Sequence, residues 1–156
     1  MSNQDYNAVI TVNKTAKEAL NSINKVKDWW IANTEGSAQN LNDVFTIHFS
    51  GDSFVTFKVV EFEAGKKAVW LVTDCYLPWF KDKAEWTNTK TNWELTEQNG
   101  TTQISFTHVG LTPEVECYDM CVKGWDFYVK TSLLKLINEG KGQPDVPKAE
   151  RDELVK

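Results

Sequence analysis

The chain is poor in the features that announce most chemistries. No apolar run approaches the ~18–20 residues that a membrane-spanning helix needs, so no membrane partner is expected. Basic residues are outnumbered, 17 Lys plus Arg against 22 Asp plus Glu, and the net charge is −5. That balance argues against a nucleic-acid scaffold, which usually presents a basic face. Neither GxGxxG nor GxxxxGK[ST] occurs, so no glycine-rich loop cradles a phosphate. GxSxG is absent too, which removes the serine-hydrolase elbow. Only three cysteines are present, Cys75, Cys117 and Cys121. Their odd number does not make a disulfide framework. The start, MSNQDYNAVITV, lacks a charged stretch followed by an apolar one, as a secretion signal would have. A cytoplasmic location is therefore expected, and the sequons at Asn13 and Asn99 read as chance. No repeat, low-complexity segment or linker divides the 156 residues. They read as one domain over 1–143, followed by a polar tail over 144–156.

What the chain has in quantity is aromatic surface: seven Trp, eight Phe and four Tyr. Such side chains bring large apolar area and rigid shape. Their placement follows two periods. Residues 6–12 read as a strand. Thr15, with Glu18 three positions on, is a capping box for a short helix, and Val26 to Trp30 suggests a second. Residues 33–43 are loop-like. Phe45, Ile47 and Phe49 then alternate with polar residues, the period of a half-buried strand. Strands are also predicted over 54–62, 67–75, 86–95 and 102–109. The third of this run, over 67–75, is apolar on both faces, so its outer side is covered by a second subunit or by loops. Glu97-Gln98-Asn99-Gly100 marks a hairpin. From about Glu114 to Asn138, Tyr118, Trp125, Val129 and Leu136 recur at helical spacing, and Gly140 is a stop. Gly124 in that helix suggests close approach to the sheet or a local bend.

The order is one strand, two short helices, five antiparallel strands and one long helix. Antiparallel strands with polar outer faces need one covered face, and the long helix alone is large enough to cover it. The predicted fold is α+β: a curved six-stranded antiparallel sheet wrapped around the C-terminal helix, with two short helices between strands 1 and 2. Several features in this order resemble the SRPBCC, or START-like, superfamily with its helix-grip (Bet v 1-like) fold. They are Trp29-Trp30, Glu85-Trp86, Trp93-Glu94-Leu95, Thr107-His108-Val109-Gly110-Leu111, Cys121-Val122-Lys123-Gly124-Trp125, and Gly140-Lys141-Gly142-Gln143-Pro144. Within it they look like the activator-of-heat-shock-protein-ATPase homologue-like proteins. The resemblance covers about residues 6–143. It implies a cavity between sheet and helix, and it implies no one activity, since relatives include lipid carriers, cyclases and co-chaperone domains.

The inward candidates for such a cavity are Phe57, Trp93, Phe106, Trp125 and Val129, with Thr89, Thr91 and His108 as polar points. An apolar lining with a few placed polar groups suits a small hydrophobic or aromatic ligand. The same side chains would equally make an interlocked core. His108 lies on the apolar side of its strand; it is either an acid or base, with Asp74, Asp119 or Asp126 as partner, or a fastening of the strand end. His48 reads as solvent-facing. Cys117 and Cys121 share a helix face, yet with His108 they make only three ligands for a metal, and no cofactor or metal is called for. Trp79 and Phe80, in a loop after Pro78, are candidates for a lip over the cavity or for a contact with a protein partner such as a chaperone. The residues fit a binding protein better than an enzyme, as monomer or homodimer.

Overall fold

The computed structural model describes residues 5–49, 52–78, 81, 83–113 and 118–144. The expectations for Trp79, Phe80, Cys117, the first turn of the long helix and the tail from residue 145 fall outside these residues.

β1 (Tyr6–Val12) alternates buried and exposed side chains along its whole length, as a strand with one wet face must. α1 (Ala16–Ile23) starts at Thr15, whose hydroxyl accepts from the Glu18 amide at 3.1 Å while Glu18 Oε1 accepts from the Thr15 amide at 3.2 Å. This capping box satisfies two of the amides that a helix start leaves open. Glu97 Oε1, 81 residues along the chain, takes a third, the Ala16 amide, at 2.8 Å. Ala16, Ala19, Leu20 and Ile23 are the buried face of α1. α2 (Val26–Trp29) follows at once.

The chain then forms β2 (Thr34–Gly36), β3 (Val44–His48), β4 (Phe54–Glu63), β5 (Lys67–Tyr76), β6 (Lys90–Gln98) and β7 (Thr101–Val109). All pair antiparallel in the order β1-β7-β6-β5-β4-β3-β2. The sheet has seven strands where the sequence suggests six. The extra one, β2, lies in the stretch read as a loop. It is three residues long and mostly polar, so it shows no alternation to read, and pairing with β3 alone makes it a strand. The other difference is the start of β6. Alternation runs from Trp86, but the ladder begins at Lys90. Asn88 takes a left-handed φ of 74°, and the Thr89 hydroxyl donates to the Trp86 carbonyl at 2.6 Å, which closes a turn instead.

The long helix is α3 (Tyr118–Phe127), a π-helical segment (Tyr128–Leu133) and α4 (Leu134–Glu139), continuous through helical dihedrals. Gly140, at φ 84°, ends it in the left-handed conformation. Gly124 does not serve close packing, because a Cβ there would meet nothing within 4 Å. Gly142 does. A Cβ on it would lie 2.4 Å from the Asp28 carbonyl oxygen, so the chain after the helix docks against α2. Ser132 ties the same junction: its hydroxyl donates to the Trp29 carbonyl at 2.6 Å and accepts from the Gln143 amide at 2.7 Å. Val69, on the outer face of β5, is buried within the single chain, so this position needs no second subunit to cover it.

Candidate functional site

The side chains read from the sequence as inward come together. Phe57 on β4, Thr91 and Trp93 on β6, Phe106 and His108 on β7, and Trp125 and Val129 on the helix are all buried; Thr89, in the turn before β6, is half-buried. The register explains the grouping: Trp93 stands opposite Phe106, and Thr91 opposite His108. Trp93 and Phe106 have ring centroids 4.4 Å apart, and Trp125 lies 4.6 Å from Phe106. Offset and edge contacts of this kind exceed simple area burial by about 0.5–1.5 kcal/mol per pair.

Five rings that the sequence reading left out complete the shell. Trp29 ends α2 and Trp30 caps it, Phe45 comes from β3, Trp70 from β5 and Trp86 from the turn before β6. Trp30 lies 4.7 Å from Trp125 and 5.7 Å from Phe57. Trp70 lies 5.0 Å from Phe45 and 5.4 Å from Trp93. Trp86 stacks on Trp125 at 6.0 Å and meets His108 edge-on at 4.7 Å. A signal existed for two of these: Phe45 begins a clean alternation, and Trp70 sits mid-strand. Trp86 had none, since its place depends on the Asn88 turn.

His108 is held in a directed chain of hydrogen bonds. The Trp125 indole N–H donates to His108 Nδ1 at 3.0 Å. The Thr89 hydroxyl proton goes to the Trp86 carbonyl, so the Thr89 oxygen accepts from His108 Nε2–H at 2.9 Å. Both ring nitrogens are taken, and the network assigns the neutral Nε2–H tautomer. Burial pushes its pKa down to about 3. His108 is therefore a fastening between strand, turn and helix, and no Asp is its partner. A second tie joins Tyr6 on β1 to Asp126 on α3 through the phenol and a carboxylate oxygen; Lys130 flanks the same oxygen at 3.4 Å. Burial, the bond to Asp126 and that carboxylate's charge raise the Tyr6 pKa well above the ordinary phenol value. His48 lies with Nε2 2.5 Å from Glu35 Oε1 and is half-buried.

Three buried polar atoms on the inner face have no such arrangement. Trp70 Nε1, Trp93 Nε1 and Thr91 Oγ1 find no hydrogen-bond partner among the described residues. Thr91 pairs with Trp70 across β5 and β6, and Trp93 follows on the same face of β6. By contrast the Trp29 indole donates to the Ile23 carbonyl at 2.9 Å. A separate recess of about 240 Å³ opens between the α1–α2 junction and β2, over Val26, Thr34, Ala38 and Phe45, with Asn24 and Lys25 at its side. Phe45 belongs to both the recess and the aromatic shell.

No family model and no curated protein matches the sequence. Solved structures do. The chain superposes on the Aha1 dimer protein from Colwellia psychrerythraea with a TM-score of 0.71 and 20% identity, over 88% of this chain and 98% of that one. It has the helix-grip (Bet v 1-like) fold. CalU16 from Micromonospora echinospora shares this helix-grip architecture at a TM-score of 0.65 and 12% identity, over 96% of this chain and 80% of that one. DynU16, from the dynemicin biosynthetic locus, does so at 0.64 and 13%, over 90% of this chain and 49% of its own. At these identities the likeness carries the helix-grip fold alone. No helix among the described residues is long and apolar enough to cross a membrane.

Proposed function

We propose that the chain binds a small hydrophobic or aromatic molecule between the concave face of its sheet and the C-terminal helix. The observation that carries this reading is the trio of unpartnered polar atoms on Trp70, Trp93 and Thr91. Natural cores pair nearly all such groups, because each one left open costs about 1–3 kcal/mol. An interior that receives a guest leaves them for it. The ring faces around them supply apolar contact and shape. Binding fits better than catalysis, since His108 is neutral with both nitrogens occupied. The recess is the proposed entry: Phe45 separates it from Trp70 by one ring contact of 5.0 Å. The test is a calorimetric titration with 2-ethylnaphthalene. At ~0.5 kcal/mol per non-hydrogen atom the Kd falls in the range of tens of micromolar. Val129→Phe, which adds bulk where the helix meets the sheet, should weaken binding about tenfold or more. Equal affinity in that variant would place the probe elsewhere and end this reading.

A second reading is self-association or contact with another protein. It is favoured by Leu41 and Val44, three residues apart, both about half exposed and beside the edge strand β2. An open strand edge with apolar neighbours is a pairing surface. The Aha1 structural neighbour is described as a dimer. Light scattering on the wild type and on a Leu41→Lys, Val44→Lys variant decides it: a dimer that the double variant splits supports the reading, and a monomer at all concentrations removes self-association.

A further inference from the structure

The unpartnered atoms also define what kind of molecule the interior takes, an inference that rests on the ligand reading above. An indole N–H donates and cannot accept. Trp70 and Trp93 therefore present two obligate donors, both fully buried, with rings 5.4 Å apart. Thr91, fully buried and paired with Trp70 across the strands, adds a hydroxyl. One patch of the inner face thus asks for acceptor oxygen. It offers no countercharge: the buried polar side chains among the described residues are Asn, Thr, Ser and one His, with no Lys or Arg. An anionic oxygen would lose its water there and meet only neutral donors, which is costly. A neutral carbonyl meets the donors without that loss. Its flat or ring-shaped body would lie against the aromatic wall.

We propose that Trp70, Trp93 and Thr91 form an oxygen-acceptor site and that the guest is a neutral carbonyl compound on an aromatic or alicyclic frame, such as a ketone, aldehyde or quinone. The site discriminates by its donors: a hydrocarbon of the same shape leaves them unmade, and a carboxylate of the same size pays desolvation.

The experiment titrates the full chain with three naphthalenes of near-equal size. They are 2-acetylnaphthalene, 2-isopropenylnaphthalene and 2-naphthoate. The ketone should bind about tenfold tighter than the alkene, the equivalent of one or two net hydrogen bonds. It should also bind tighter than the carboxylate. Thr91→Val should weaken the ketone several-fold and leave the alkene unchanged. In the wild type, the indole N–H resonances of Trp70 and Trp93 should move downfield with the ketone and not with the alkene, which decides the matter even if the valine variant does not fold. Equal affinity for ketone and alkene, with unmoved indole signals, would mean that the donors hold a permanent water or nothing, and overturns the acceptor site while leaving the cavity reading intact. Tightest binding by naphthoate overturns the neutral class. Binding of none of the three overturns this inference together with the ligand reading.

Discussion

His108 illustrates what a single buried side chain can record. Its apolar-side position in β7 was legible from alternation, whereas its partners were not, because Trp125 is 17 residues away and Thr89 is 19. The resulting neutral imidazole has a consequence for stability. Its pKa is depressed when folded and returns to about 6.5 when unfolded, so the unfolded chain binds the proton first. Stability is retained above pH 6.5 and is lost as pH falls toward about 3. Between pH 7 and pH 5 this group alone should remove about 2 kcal/mol. Denaturant unfolding across that range should show a steeper loss for the wild type than for His108→Asn; parallel curves would contradict the network. Ser132 is a second residue with two obligations, to Trp29 and to Gln143. Ser132→Ala should destabilise by about 1–3 kcal/mol, measured by urea unfolding, because it leaves a buried carbonyl and an amide without a partner.

At the scale of elements, local chemistry was read well where it was self-contained. The capping box of α1, the hairpin between β6 and β7 and the stop at Gly140 each depend on a few adjacent residues. Thr15→Ala should accordingly cost about 1 kcal/mol in urea unfolding, the usual loss for a helix cap. Elements defined by distant partners were not legible. β2 exists because β3 is beside it, and its residues carry no period of their own. The π-helical turn has the same three-and-four spacing of buried residues as the α-helix around it, from Trp125 through Tyr128, Val129, Ser132, Leu133, Leu136 and Ile137, so no residue pattern sets it apart. Polar and apolar residues alternate from Trp86 as in a strand, and a left-handed Asn88 overrules that alternation. Gly124 makes no close approach to the sheet, which leaves a local bend as its other reading, and a close approach to α2 occurs at Gly142. Gly142→Ala should push the segment after the helix off α2 and cost about 1–3 kcal/mol, as overpacking does, read as a lower unfolding midpoint.

The described residues form a sheet, a helix and two short helices closed over a shell of aromatic rings. Of the eight interior candidates, seven are buried together: the strands bring in Phe57, Thr91, Trp93, Phe106 and His108, and helical spacing brings in Trp125 and Val129. Of the five further rings, Phe45 and Trp70 are in sheet strands, whereas Trp29, Trp30 and Trp86 come from segments whose approach to the sheet is a tertiary matter. What the interior does depends on whether those rings part for a guest. Phe45 is the ring between the recess and the donors, so Phe45→Ala should raise the association rate for 2-ethylnaphthalene several-fold in stopped-flow fluorescence. An unchanged rate would move the entrance elsewhere. The most direct test of a guest between sheet and helix is a filtered nuclear Overhauser spectrum of isotope-labelled protein with unlabelled 2-ethylnaphthalene. The prediction is cross-peaks from the probe to the Val129 methyls on the helix and to ring protons of Trp93 and Phe106 on the sheet. Cross-peaks confined to exposed groups such as Leu41 and Val44, or none at all, would contradict it.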